Sequence, residues 1–334
     1  MTERLTQFAA FDQSFSSGSS NLAVGDVDAS VVGDEIVVAD DGSGRRAVRI
    51  RVFGDLAGYG PCLLTQFRVL PRSAEAAHQP LTFVLGDVFA DIDHPGQEIV
   101  VGDPRGMVCV LGVQHGRATY LQRFDACPDR PRSSAHHLAV GDLIPSNPGD
   151  EIAVADDGKR QNVLVRVFDG RTGRSLLELA AFAPGQAPAG VEMWIAPLMG
   201  SLPGAELIVG QGSAGGLLRV FRVVEGIPTH LLDVPDPRHR ATSLPRQLAV
   251  GSLLLDMPGD QLAVVQSDPG FPLQIFYCNT DGAVVTESWS LAGDGSSPAK
   301  PDTRDRYYRD WSLSRRWKHP GAAAASATGW ARTP

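Results

Sequence analysis

The chain has 334 residues, and its 38 acidic and 30 basic side chains give a net charge of −8. A hydrophobic share of 43% excludes a globally disordered chain, and no apolar stretch is long enough for a transmembrane helix. The acidic balance also argues against a nucleic-acid partner. Four scattered cysteines are too few for a disulfide framework or a zinc site, and the N-terminus shows no signal-peptide pattern.

The first predicted element is a strand at residues 5–12, within an N-terminal segment that spans residues 1–21. Its sequence returns later in the chain, at residues 64–67 and again at 179–182. The strand therefore belongs to a repeating pattern, whose other copies lie downstream.

Five copies of that pattern follow, and each opens with an apolar segment that ends in Gly-Asp or an equivalent pair. The opening segments are 22–26, 83–87, 138–142, 193–197 and 248–252, at intervals of 61, 55, 55 and 55 residues. Each copy continues with a turn of the type Gly-Asp-Glu-Ile, an apolar run, an alternating run and a more polar run. Four short β-strands per copy, without an amphipathic helical pattern, predict the blades of a β-propeller.

The copies span residues 22–81, 82–136, 137–192, 193–246 and 247–291. They predict an all-β propeller of about five four-stranded antiparallel blades, with a weaker fourth strand of the last copy at 283–291. The strand at 5–12 would then be an outer blade strand that acts as an N-terminal clasp. The alternative is that the chain is an incomplete part of a six- or seven-bladed propeller. Residues 292–334 contain one Leu and no Ile or Val, and we predict a disordered basic tail.

The order of these motifs resembles the FG-GAP, or VCBS-type, repeats of bacterial propellers and of the integrin α-subunit head. The similarity covers residues 5–291 and rests on the runs at 8–15, 22–27, 34–39 and 165–173. The resemblance implies four-stranded blades that bind carbohydrates or proteins at cell surfaces, with Ca²⁺ in the loop between the first and second strands. It implies an extracellular location, whereas the missing export signal and the apparently unpaired cysteines point to a reducing compartment.

The calcium loop that the resemblance implies has its best match in the first copy. Asp26, Asp28, Ser30 and Asp34 hold ligand positions one, three, five and nine, and the Val32 carbonyl is available at position seven. Later copies lengthen the loop or replace its ligands, and their Pro-Gly turns predict a glycine with positive φ. We therefore expect one weak Ca²⁺ site in the first copy, the alternative being a plain turn with solvated acids.

A second candidate site is formed by arginines in the loops that join strand two to three and strand four to the next blade. Both kinds of loop should emerge on the same face of a propeller. The predicted ligand-binding set is Arg72, Arg130, Arg132, Arg160, Arg238 and Arg240. Guanidinium groups suit carboxylates and other anions, so this face is predicted to bind an acidic glycan or an acidic protein segment. The alternative is solvated arginines that neighbouring aspartates partly neutralise.

The sequence contains no serine nucleophile elbow, His-Glu-x-x-His motif, phosphate-binding loop or Cys-x-x-Cys pair. His136 and His137 are placed just before a strand and would point to opposite faces, which disfavours a metal pair. The aspartates at 40–41 and 156–157 occupy the same turn in two copies, which favours a turn role. The sequence thus favours a non-catalytic binding or interaction module. The alternatives are a propeller enzyme of the polysaccharide-lyase or hydrolase type, and a truncated propeller without independent function.

Overall fold

A computed structural model gives the architecture of the chain. The structure describes residues 10–11, 21–40, 48–55, 61–69, 82–90, 93–103, 106–128, 136–156, 162–184, 186, 191–200, 202–211, 217–234, 246–253, 259–266, 273–278 and 284–289. These residues form twenty β-strands in five sheets, and each sheet is a four-stranded antiparallel meander in chain order. The five sheets are arranged as a five-bladed β-propeller, which confirms the predicted fold class.

The strands follow the four runs of each repeat. The first sheet contains β1 (Asn21–Gly25), β2 (Glu35–Ala39), β3 (Val48–Asp55) and β4 (Pro61–Val69). The second contains β5 (Thr82–Gly86), β6 (Glu98–Gly102), β7 (Met107–Gln114) and β8 (Arg117–Asp125). The third contains β9 (His136–Gly141), β10 (Glu151–Asp156), β11 (Val163–Asp169) and β12 (Ser175–Phe182). The fourth contains β13 (Val191–Ala196), β14 (Glu206–Gln211), β15 (Leu218–Val224) and β16 (Ile227–Val234). The fifth contains β17 (Arg246–Gly251), β18 (Gln261–Gln266), β19 (Leu273–Cys278) and β20 (Val284–Trp289).

Two predictions at the level of single strands can be compared with these bounds. β20 confirms the fourth strand that was predicted for the last copy. The placement of His136 and His137 before a strand was wrong, because both lie within β9 and pair with Asp156 and Ala155. Of the predicted clasp at 5–12, only Ala10 and Phe11 belong to the described residues, and the tail at 292–334 lies outside them.

The core lies in the seams between neighbouring sheets. A single sheet cannot shield two apolar faces from water, so neighbouring sheets pack their apolar faces against one another. The second strands show this most clearly, since β6, β10 and β14 are buried along their whole length. The innermost strands β1, β5, β9, β13 and β17 contact one another in succession. The outer strand β8 is mostly half-buried or exposed, as its polar sequence predicts.

One backbone hydrogen bond recurs at four seams and ties each sheet to the preceding one. Its donor is the backbone N–H of the residue after a turn glycine. Its acceptor is the carbonyl of the residue that follows the first strand of the preceding sheet. The four bonds are Gln97 to Asp26 at 2.6 Å, Asp150 to Asp87 at 2.8 Å, Ala205 to Asp142 at 2.7 Å and Asp260 to Pro197 at 2.8 Å. At the second of these seams Gly149 has φ of 80°, and a Cβ there would lie 2.2 Å from the Val88 carbonyl oxygen. The predicted positive φ of the Pro-Gly turns is confirmed.

No helix that is long and apolar enough to cross a membrane occurs in the described part of the chain.

Candidate functional site

The candidate site is the edge of the ring that carries the first-to-second loops and the third-to-fourth turns. We call this edge the acidic face, because Asp26, Asp87 and Asp142 lie there, exposed, at the ends of three first strands. Antiparallel meanders bring these two kinds of loop to the same edge of every sheet. The predicted calcium ligands and most of the buried acids of the structure belong to this face.

A buried acid or amide opens the second strand of every sheet and turns back into the preceding loop. The five side chains are Glu35, Glu98, Glu151, Glu206 and Gln261, all at most 1% exposed. Glu98 shows the arrangement most simply. Its Oε2 accepts hydrogen bonds from the backbone N–H groups of Val88 at 2.8 Å and Phe89 at 3.1 Å. The carboxylate therefore supplies the acceptors that the loop backbone would otherwise lack.

The other sheets use the same position with small variations. Glu151 accepts two loop N–H groups and a third hydrogen bond, from the Asn147 side chain at 2.8 Å. Glu206 accepts the N–H of Met199 and contacts the Arg222 guanidinium at 3.4 Å. In Gln261 the amide oxygen accepts the Leu253 N–H, and the amide nitrogen donates to a carbonyl of the same loop. A neutral amide thus fills this position in one sheet of five.

Burial sets the protonation of these glutamates. It raises the pKa of Glu35, Glu98 and Glu151 to about 7, against the opposing effect of their backbone hydrogen bonds. Burial also raises the pKa of Glu206. A carboxyl group that loses its water shell favours its neutral form. Glu35, Glu98 and Glu151, each with a pKa of about 7, therefore titrate near neutral pH while they support the loops.

Asp28, one of the predicted calcium ligands, links the first sheet to the second. Its buried carboxylate accepts hydrogen bonds from the N–H and hydroxyl groups of Ser30, at 3.2 and 2.5 Å. It also accepts the N–H groups of His115, at 3.1 Å, and Gly116, at 2.7 Å, from the turn between β7 and β8. Burial acts to raise the pKa of Asp28, but these hydrogen bonds outweigh it and lower the pKa overall. Both oxygens are therefore occupied by donors of the protein.

The remaining predicted calcium ligands lie on the same loop as Asp28. Burial, together with the charges of Asp34 and Asp28, raises the pKa of Asp26, so the three carboxylates lie close enough to interact. The Val32 side chain is 95% exposed on the same loop. The described residues contain no group of three or more His, Cys, Asp or Glu side chains arranged to hold a metal ion. A cation at the predicted position would have to compete with the hydrogen bonds of Asp28, and the calcium site stays a prediction.

Asp150 performs a similar linking role between the second and third sheets. Its Oδ2 accepts the Asp87 N–H at 2.9 Å, and its own N–H donates to the Asp87 carbonyl at 2.8 Å. Burial raises the pKa of Asp150 to about 6, with smaller contributions from the charges of Asp87 and Asp142. Carboxylates on this face thus join sheets as well as shape loops.

The face opposite the acidic face carries the loops between the second and third strands. Asp40 caps one of them, since its carboxylate accepts the Arg49 N–H at 2.9 Å and its N–H donates to the Arg49 carbonyl at 3.0 Å. Asp103 accepts the Met107 N–H at 3.0 Å in the same way. The turn role predicted for the aspartate at 40 is confirmed. The predicted ligand-binding arginines of this face lie outside the described residues: Arg72, Arg130, Arg132, Arg160, Arg238 and Arg240.

Sequence reasoning missed the loop-supporting role of the glutamates. Their motif was visible, because Glu or Gln precedes an apolar run at the same place in all five copies. An acid at the start of a fully apolar strand is a signal of a buried, hydrogen-bonded carboxylate.

Comparisons with known proteins support the fold. No model of a known protein family matches the chain, and no curated protein matches it. Among solved structures, it is similar to a periplasmic gluconolactonase of Pseudomonas aeruginosa, with 16% identity, a TM-score of 0.51, and coverage of 82% of this chain and 84% of that chain. It is also similar to Raptor of Chaetomium thermophilum, with 14% identity and a TM-score of 0.46; the match covers 76% of this chain and 20% of that chain. A third similar structure is a rhamnogalacturonan lyase of Bacillus licheniformis, with 15% identity and a TM-score of 0.40; the match covers 79% of this chain and 60% of that chain. The likeness to the gluconolactonase, at 16% identity, supports the fold alone.

Proposed function

We propose that the chain is a non-catalytic binding module of the FG-GAP repeat type, which recognises an acidic glycan or an acidic protein segment. The observation that carries this proposal is the use of the repeated acids. Glu35, Glu98, Glu151 and Glu206 all accept backbone hydrogen bonds from the loops that precede them. They act as parts of the scaffold, so they do not form a pair that could act as acid and base on a substrate.

The space next to these carboxylates supports the same conclusion. A cavity between the first and second sheets is lined by Val27, His94, Gln97, Glu98 and Thr119, among others, and has a volume of about 60 Å³. Pockets for small-molecule ligands usually enclose about 300–1,000 Å³. This cavity has room for water and is too small for a sugar ring.

The charge of the acidic face favours the opposite face as the binding surface. Asp26, Asp87 and Asp142 are exposed on the acidic face and would repel an anion. The arginines predicted to bind a ligand are expected on the opposite face, and planar guanidinium groups bind carboxylates through paired hydrogen bonds. An acidic ligand would therefore approach the ring from that side.

The assignment to the FG-GAP type rests on the repeat itself. Each copy has the motif order of that family, and each copy whose strands are described forms one four-stranded blade. The first-to-second loop, which binds cations in the family, lies on the acidic face. In this chain a buried side chain supports it from within.

The experiment compares two double variants for retention on immobilised acidic polysaccharides, with polygalacturonate and chondroitin sulfate as probes. Arg130→Ala with Arg238→Ala removes two charges from the proposed binding face. Arg117→Ala with Arg174→Ala removes two exposed charges from the acidic face and is the matched control. We expect the first pair to reduce retention at least tenfold and the control to change it less than twofold. Equal retention by both double variants would refute the proposal.

A further inference from the structure

The turn between β15 and β16 differs from the equivalent turns of the acidic face. Three turns that join a third strand to a fourth strand belong to the described residues, and in two of them a glycine packs on the outer strand of the preceding sheet. A Cβ at Gly116 would lie 3.2 Å from the Leu64 carbonyl oxygen. A Cβ at Gly173 would lie 2.9 Å from a ring carbon of Phe124. Around Gly226, in contrast, no described atom lies within 4 Å of such a Cβ. This turn therefore projects into open space.

The projecting turn carries apolar residues where an equivalent turn carries polar ones. Val224 and Ile227 pair across it and are 50% and 65% exposed. Both central residues of the turn have positive φ, the geometry of a tight hairpin that holds this pair in place. At the equivalent place in the second sheet the paired residues are Gln114 and Arg117. The fourth sheet thus presents an apolar hairpin tip to solvent.

A neighbouring loop extends this apolar surface. Leu202, in the loop between β13 and β14, is 45% exposed. Arg222 joins this loop to the end of β15, because its guanidinium donates to the Pro203 carbonyl at 2.8 Å. We call Leu202, Val224 and Ile227 the hairpin patch. Apolar patches that stay exposed on a folded protein often mark a contact with another segment.

The charges around the hairpin patch are acidic. Glu225 is exposed at the tip itself. Asp142 is exposed at the end of β9, and its backbone carbonyl accepts the Ala205 N–H of the loop between β13 and β14 at 2.7 Å. The positive charge of Arg222 is paired, because its guanidinium contacts the buried Glu206 at 3.4 Å. The exposed arginines that are described on this face belong to turns of the second and third sheets: Arg117, Arg171 and Arg174. A partner for the hairpin patch should therefore combine apolar or aromatic side chains with positive charge.

One segment of this chain has that composition. Residues 304–319, which lie outside the described residues, contain six Lys and Arg side chains and two Asp side chains. The segment also holds four of the ten Trp and Tyr residues of the chain: Tyr307, Tyr308, Trp311 and Trp317. Trp, Tyr and Arg are the side chains that contribute most to binding when they are buried in an interface. The segment therefore matches the hairpin patch in charge and in apolar character.

The segment is also within reach of the patch. β20 ends at Trp289, on the face opposite the acidic face, and residue 304 follows fifteen positions later. Fifteen extended residues span up to about 50 Å, whereas an eight-residue strand such as β16 is about 27 Å long. The fifth sheet packs beside the fourth, since the Asp260 N–H donates to the Pro197 carbonyl at 2.8 Å. The linker is therefore long enough to pass around the outer edge of the ring to the hairpin patch.

We propose that residues 304–319 of this chain dock on the hairpin patch. Their aromatic side chains cover Val224 and Ile227, and their Lys and Arg side chains lie beside Glu225 and Asp142. Because the segment is joined to the fifth sheet, it meets the patch at a high effective concentration. The opposite face, which is proposed to bind an acidic ligand, stays free. The two contacts therefore use opposite sides of the ring and do not depend on each other.

Photo-cross-linking of the full chain tests the proposal. p-Benzoylphenylalanine replaces Ile227 in the test protein and Arg117, at the equivalent place of the second sheet, in the matched control. We expect cross-links from position 227 to the 304–319 segment of the same chain, at least tenfold more abundant than those from position 117, by peptide mass spectrometry. A denaturing gel separates links within one chain from links between copies. Equal yields from the two positions, or links to a second copy alone, would overturn the proposal.

Charge reversal in the same assay tests which part of the chain docks. Arg315→Glu with Arg316→Glu reverses two charges inside the segment, and Lys300→Glu with Arg332→Glu reverses two charges outside it. We expect the first pair to lower cross-linking from position 227 at least fivefold and the second pair to leave it within twofold. Equal losses in the two double variants would show that residues 304–319 are not the docking segment.

Discussion

Replacing Glu98 with alanine removes the acceptor of two backbone N–H groups, the buried one of Val88 and the partly buried one of Phe89. Each buried donor that is left without a partner costs about 1–3 kcal/mol. We therefore expect Glu98→Ala to lower the free energy of unfolding by about 2–5 kcal/mol. Glu98→Gln keeps an acceptor oxygen in place, as Gln261 does in the fifth sheet, so its cost should stay below about 1 kcal/mol.

The pH dependence of the same variants separates a hydrogen-bonding role from simple packing. The folded-state pKa of Glu98 is about 7 and lies above its ordinary value of 4.5, mainly because of burial. The stability linked to this group is complete below pH 4.5 and is lost as the pH rises through 7. Urea unfolding at pH 5 and pH 8 should therefore show Glu98→Gln gaining stability relative to the wild type at the higher pH. An alanine variant as stable as the glutamine variant at both pH values would refute the reasoning.

Three further predictions concern the seams and the calcium loop. Gly149→Ala should cost about 3 kcal/mol or more, because its Cβ would strike a backbone carbonyl of the second sheet. Gly226→Ala, also at positive φ but with nothing within 4 Å, should cost about 1 kcal/mol; equal losses in urea unfolding would contradict this. Arg219→Ala should cost about 1–3 kcal/mol, because it removes a charged hydrogen bond and a ring contact between sheets. Arg174→Ala, at an exposed site, should change stability by less than about 0.5 kcal/mol, and a similar loss in both would exclude an inter-sheet role. For calcium we expect millimolar binding at best, so 2 mM Ca²⁺ should raise Tm by about 1 °C or less. A rise of several degrees that Asp34→Asn abolishes would show a stronger site.

The repeat made the fold predictable. Copies of similar length, each with four short runs of strand character, leave few arrangements other than stacked blades, because no single copy can bury its own apolar faces. The fourth strand of the last copy was found in this way, by analogy with earlier copies and despite its weak pattern. The same local reading placed His136 outside β9, since strand ends depend on pairing with a neighbour that the local sequence does not show.

The candidate site was less predictable, because its contacts join residues that are distant in sequence. Asp28 had the spacing of a calcium ligand, yet its partners include His115 and Gly116, which lie 87 and 88 residues further along the chain. The repeat motif predicts a glutamate at position 98. The direction of its side chain, however, depends on how the preceding loop folds back. Spacing indicates which residues are neighbours on one loop, and it carries no information about which donors the folded chain brings to them.

Amide hydrogen exchange of the loop backbone tests the central claim most directly, namely that buried acids hold the loops of the acidic face in place. Exposed loops exchange quickly, whereas hydrogen-bonded amides are protected. We expect slow exchange at Val88 and Phe89 in the wild type and in Glu98→Gln, with protection lost at these two amides in Glu98→Ala. Fast exchange at both amides in the wild-type protein would contradict it.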